Sequence, residues 1–296
     1  MPNNGSQATR QKRRHLKPDV RVHRMQEMHV TSWNEFLDEL KRLREQRVEV
    51  GKHYNSTSSA FLFRGQANAC WKLETTLERK TSKHRSFADY FRIVGAAQPQ
   101  LETFTPNRWA FKELPELEIW ARKYDNLKLT PFPGYDYLTY LRHHGFPSPL
   151  LDWTRSIYVA AYFAFESPVD DRVAIFVFWE NTGLGKASSS NAPQIHTFGP
   201  HVRSHIRHFN QQSSYSICCE FESGEWKYTK HDLIYGSSAP TLQDVLYKFT
   251  IPASERSNVL ASLDSMNINA FSLFQSEEAL LRTISIREFL LREHEL

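Results

Sequence analysis

The chain has 296 residues, of which 40% are hydrophobic, 13% aromatic and 24% charged, a globular balance that excludes wholesale disorder, collagen-like order and a simple coiled coil. No run of about 18 apolar residues occurs and no apolar stretch follows the basic N-terminal cluster, so the sequence reads as a cytoplasmic protein without a membrane span or secretory signal. The formal net charge of +4 is unevenly placed, because residues 1–24 hold seven Lys and Arg against the single acid Asp19.

Residues 1–30 therefore read as a basic, disordered tail, either a solvated solubility arm or a segment that contacts nucleic acid or protein. Residues 31–296 read as one α+β domain. Apolar positions at Trp33, Phe36, Leu37, Leu40 and Leu43 predict a helix, with Ser32 and Glu35 at capping-box spacing. Ala60–Arg64 is a short apolar run ending at Gly65, which predicts a central strand with Leu62 and Arg64 on one face and Phe61 and Phe63 on the other. A helical excursion at about 84–130 follows, with helices near residues 86–94 and 114–124.

Tyr135 to His143 has a helical pattern stopped by Gly145 and Pro147, and Ser156 is placed to cap a second helix, Ile157 to Glu166. His144 to Thr154 reads as a rigid loop between them. Strands are expected at Val173–Trp179, Tyr215–Phe221 and Leu246–Ile251, with a linker at Asn181–Asn191 and closing helices at 254–265 and 276–291. Helices and strands do not alternate regularly. The expected architecture is thus a largely antiparallel, curved sheet flanked by helices. The three cysteines, Cys70, Cys218 and Cys219, are too few for a disulfide framework and read as core thiols, the adjacent pair on opposite faces of a strand.

Several chemical signatures fail. Gly183-Leu184-Gly185-Lys186 lacks both the first glycine and the Ser or Thr of a phosphate loop, with Glu180 and Ala187 in their places. His201, His205 and His208 would share a helix face, but no cysteine or carboxylate at ligand spacing completes a zinc set, so no metal is expected.

Two segments carry a specific signal: Phe63-Arg64-Gly65-Gln66, and His143-His144-Gly145-Phe146-Pro147-Ser148-Pro149-Leu150-Leu151-Asp152-Trp153-Thr154 running into a helix with Ala160, Ala161, Phe163 and Ala164. Together they resemble the FRG domain, a family of bacterial, phage and fungal proteins named for its Phe-Arg-Gly motif. The likeness extends to Arg207–Gln212 and fades after about residue 250. The family's occurrence in phage and bacterial genomes is compatible with a role in phage defence or toxin–antitoxin systems.

A strand ending in Arg-Gly, followed by a Thr or Ser turn and a small-residue helix, also resembles the NAD-binding half of ADP-ribosyltransferases. That resemblance implies an ADP-ribosyltransferase-like fold in which Arg64 and Gly65 seat NAD, a guanidinium suiting a phosphate and a residue without Cβ letting the ligand approach the backbone. With that placement Asp152, Thr154 and Gln212 are expected near the reactive ribose; of His143 and His144 at the helix end one must face inward if the other is exposed, and His144 is expected in the cleft, with Arg207, whose plain alternative is a bond to the sheet edge, as a further contact. The family's strand-start glutamate is missing, with Gln211 and Gln212 standing there. Two readings stay open: a NAD-consuming transferase or glycohydrolase, and a non-catalytic module that binds a small nucleotide or a protein. Arg64 and Asp152 also have a plain alternative, as a structural ion pair.

Overall fold

A computed structural model describes residues 25–55, 58–81, 86–111, 113–123, 132–183, 192–199, 201–235 and 243–292. The basic run 1–24 and most of the 181–191 linker lie outside them.

The first half of the chain contains β1 (Met25–His29), α1 (Trp33–Tyr54), β2 (Leu62–Gln66), α2 (Thr76–Lys80), α3 (Phe87–Phe104), α4 (Leu114–Ala121), α5 (Tyr135–His143), β3 (Leu151–Thr154) and α6 (Ile157–Phe165). The second contains β4 (Arg172–Asn181), β5 (Gln194–Phe198), α7 (Ile206–Asn210), β6 (Ser213–Glu222), β7 (Glu225–Tyr228), α8 (Asp232–Tyr235), β8 (Gln243–Pro252), α9 (Arg256–Ser265), α10 (Ala270–Phe274) and α11 (Glu277–Ile286). Among the described residues the eight strands form one open sheet in the order β1-β8-β4-β2-β3-β6-β5, with β7 also on β6. Among these described strands β1 and β8 pair in parallel and the other pairs are antiparallel. The α+β architecture and the central place of β2 agree with the sequence.

The continuous apolar run of β4 has a simple cause, since both its faces are covered. Val173, Ile175, Val177 and Trp179 pack with α1, α6 and α9, whereas Ala174, Phe176 and Phe178 pack with Trp153, Ile195 and Tyr235 on the other face. A third cluster gathers α3, α4 and α5 against Tyr215, Ile217 and Cys219 of β6. Cys218 and Cys219 are buried in different clusters, as their alternation requires, but Cys70 is exposed rather than a core thiol.

Two boundaries shift. Residues 25–29 of the expected tail form β1, held by Arg172, whose Nη2 donates to Val30 O at 2.7 Å and Thr250 O at 2.6 Å. Ser32 does cap α1, accepting from Glu35 N at 3.2 Å, but Glu35 reaches back to Thr31 N at 2.7 Å, one residue earlier than a capping box. The second shift matters more. The last four residues of the expected loop, Leu151–Thr154, are strand β3, inserted between β2 and β6.

Candidate functional site

β3 pairs with β6 along its whole length, Leu151 to Thr154 against Ser216 to Ser213, but meets β2 at one register position, Phe63 opposite Thr154. Beyond that point the two strands part. β2 continues its ladder with β4 through Gln66, so the opening lies on one side of β2 only. A cleft of about 830 Å³ occupies it, with Arg64, Gly65 and Gln66 on one wall and Asp152, Trp153 and Thr154 on the other. That volume suits a small molecule.

Arg64 spans the gap. Its Nη1 donates to Asp152 O at 3.0 Å and stands 3.8 Å from Asp152 Oδ2, so a guanidinium fills part of the opening that a backbone ladder would otherwise close. Arg142, from the last turn of α5, pairs with the same carboxylate oxygen. Both arginine side chains are only 16% exposed, whereas that of Asp152 is 34% exposed. Burial draws the Arg64 pKa down to about 10; Asp152 opposes the shift, and Arg142 and Arg79 add to it. Arg64 is still a cation at neutral pH. Arg79, Arg207 and Lys72 also line the cleft, and Glu74 is the carboxylate besides Asp152. Five cations thus face two acids.

Gly65 lines the cleft and is also required by packing. A Cβ built there would lie 1.9 Å from Ala160 O and 2.8 Å from Ala164 N, because α6 lies directly on β2. The small residues of the Ala-rich helix serve the same close approach. Thr154 lines the cleft, but its hydroxyl donates to Gln211 O at 2.7 Å and accepts from Ser156 N at 3.0 Å, tying β3 to the turn before β6. Ser156, not Thr154, caps α6, accepting from Val159 N at 3.3 Å. Arg207 lies at the far wall, its guanidinium carbon 5.5 Å from the centre of the Phe274 ring.

Two expected contacts are displaced by one residue. His144 is exposed and stacks on Tyr140, and it is His143 that lines the cleft. Adjacent residues at a helix end point about 100° apart, so only one of them can face inward. Gln212 takes a left-handed conformation, φ 48°, and is exposed; Gln211 lines the cleft instead. The shared histidine face does not form either, since residues 201–205 are irregular and His205 caps α7.

Sequence reasoning missed the polar groups behind the cleft. His143 Nε2 lies 2.7 Å from Tyr215 Oη, which is 3.2 Å from His208 Nδ1. Burial lowers the His143 pKa to about 4 against the opposing pull of Asp152. On the other side Trp153 Nε1 donates to Ser216 Oγ at 2.8 Å, and that oxygen is 3.1 Å from His231 Nε2. Burial, aided by Arg64, lowers the His231 pKa to about 3. The alternation of β6 was the available signal, because it places Tyr215 and Ser216 on opposite faces.

These features define an α+β protein with a cation-rich cleft opened where its central strand parts from a neighbour. Residues 59–172 match the family model of the FRG domain, and that stretch of the chain is an FRG domain. The matched stretch includes Arg64, Gly65, Asp152 and Thr154 and stops before Arg207. No curated protein and no solved structure matches the chain.

Proposed function

We propose that the cleft binds a phosphate-bearing nucleotide, and that NAD is the ligand to test first. The excess of cations in the lining carries this reading: Arg64, Lys72, Arg79, Arg142 and Arg207 face only Glu74 and Asp152. Guanidinium groups suit phosphate oxygens, and Trp71, Phe163 and Phe274 supply apolar surface for a base.

The non-catalytic form of this reading is favoured over NAD consumption. Breaking a glycosidic bond calls for an acceptor beside the ribose as positive charge develops. Asp152 pairs through Oδ2 with two guanidinium groups while its Oδ1 is buried without a hydrogen-bond partner, the Thr154 hydroxyl is bonded to a backbone carbonyl, and Gln212 lies outside the cleft. Calorimetry with NAD and with ADP, beside an assay of nicotinamide release, tests the choice. Binding that weakens with salt and proceeds without release is the expected result. Release by wild type that Arg64→Lys loses while still folded would establish the enzyme, and failure to bind either nucleotide would end the proposal. A role in phage defence and contact of the basic residues 1–24 with nucleic acid or protein remain part of the proposal, on the family resemblance and the charge pattern respectively.

A further inference from the structure

Resting on the anion-binding reading above, we infer that His143 contacts the ligand directly, donating its Nδ1–H to an anionic oxygen, with Tyr215 holding the ring in the tautomer that allows this. His143 lines the cleft, and its Nε2 is engaged by the Tyr215 hydroxyl. Nδ1 is therefore the nitrogen available to a ligand.

The two distances around Tyr215 Oη assign the protons. A hydroxyl has one hydrogen, and O–H donors make shorter hydrogen bonds than N–H donors. The 2.7 Å contact to His143 Nε2 fits the hydroxyl as donor, and the 3.2 Å contact to His208 Nδ1 fits the histidine as donor. With Nε2 accepting, a neutral His143 must carry its proton on Nδ1. Burial and the neighbouring Arg142, His205 and His208 keep the ring neutral, whereas Asp152 is the group that favours its charge. The cleft thus gains an uncharged donor beside the guanidinium groups of Arg64 and Arg142. A donor there complements an anion.

The experiment pairs a tautomer measurement with binding. Long-range ¹H–¹⁵N spectra of the full chain at pH 7 should show His143 as the Nδ1–H form, and Tyr215→Phe, which keeps the ring, should release it toward Nε2–H. For ADP binding, His143→Asn places an amide nitrogen near the Nδ1 position and should stay within about threefold of wild type. His143→Gln places its amide near Nε2 and should weaken ADP by about tenfold, the loss of one hydrogen bond to an anion. Thermal melts of each variant confirm folding. An Nε2–H tautomer in the wild type, or equal ADP affinity for His143→Gln and wild type, overturns the inference while leaving the anion cleft standing. Absence of ADP and NAD binding by wild type overturns the cleft reading itself, and with it this contact.

Discussion

Arg64 Nη1 and the carbonyl oxygen of Asp152 are 3.0 Å apart, so the arginine of the Phe-Arg-Gly strand is bonded to the backbone of the neighbouring strand as well as facing its carboxylate at 3.8 Å. One side chain therefore props open the gap between β2 and β3 and supplies positive charge to the cleft inside it. Asp152 holds Arg64 and Arg142 together without cancelling both. Structure and binding are coupled through this pair, and variants of its two members separate the contributions.

Arg64→Lys should destabilise the fold by about 1.5–3 kcal/mol, since an ammonium cannot keep both the carbonyl bond and the carboxylate contact. Asp152→Asn should act with opposite signs on stability and binding. It leaves two guanidinium groups without their counter-charge, but raises the positive excess of the cleft, so ADP should bind several-fold more tightly. Calorimetry on both folded variants checks this. Weaker ADP binding by Asp152→Asn would mean that the carboxylate touches the ligand.

Gly65→Ala should be among the most damaging single changes in the chain. The added methyl would meet Ala160 O at 1.9 Å, a backbone atom of a helix that cannot retreat without unpacking from the sheet. Overpacking of a close contact costs about 1–3 kcal/mol or more. A melting temperature within a degree of wild type would show that α6 can move, and would remove the packing explanation for this glycine.

Acidification should destabilise the protein through His143 and His231. Both have ordinary values of 6.5 in the unfolded chain and are drawn down on folding, to about 4 and about 3, chiefly by burial. Between those limits the unfolded state binds more protons, so stability is fully present above pH 6.5 and is lost as the pH falls, toward about 4 for His143 and about 3 for His231. Each histidine contributes a slope of up to about 1.4 kcal/mol per pH unit in that window. Urea midpoints at pH 7.5, 6.0 and 5.0 should fall in that order, and His231→Gln should flatten the decline.

Truncation should reveal a sharp boundary near residue 25. Deleting residues 1–24 keeps the parallel ladder of β1 with β8 and the Glu27–Lys248 ion pair at 2.9 Å. Removal through Val30 strips that edge and the acceptor of Arg172, and should lower the melting temperature by several degrees more. Equal melting temperatures for the two truncations would show that β1 adds nothing to stability.

The elements legible in the sequence are those whose pattern repeats locally. The Trp33–Leu43 stripe, the Ser156 cap, the run Val173–Trp179 and the alternation of Phe61, Phe63 and Arg64 each reflect burial that recurs at the period of a helix or strand. Motif spacing likewise brought Arg64, Gly65, Asp152, Thr154 and Arg207 to one cleft as named residues. Short strands were not legible. β3 has four residues, and follows prolines that mark a loop, so only its pairing with β6 makes it a strand. The choices between His143 and His144, and between Gln211 and Gln212, turned on the phase of a helix end and one left-handed residue, which no periodic pattern records. The partner of Gly65 is Ala160, far along the chain, and the partner of Arg64 is a carbonyl exposed where two strands diverge. The sequence by itself determined which residues carry charge and which are apolar, and hence the elements; tertiary packing decided which of two neighbours faces the cleft, because that depends on rotations of a single residue set by contacts distant in the chain.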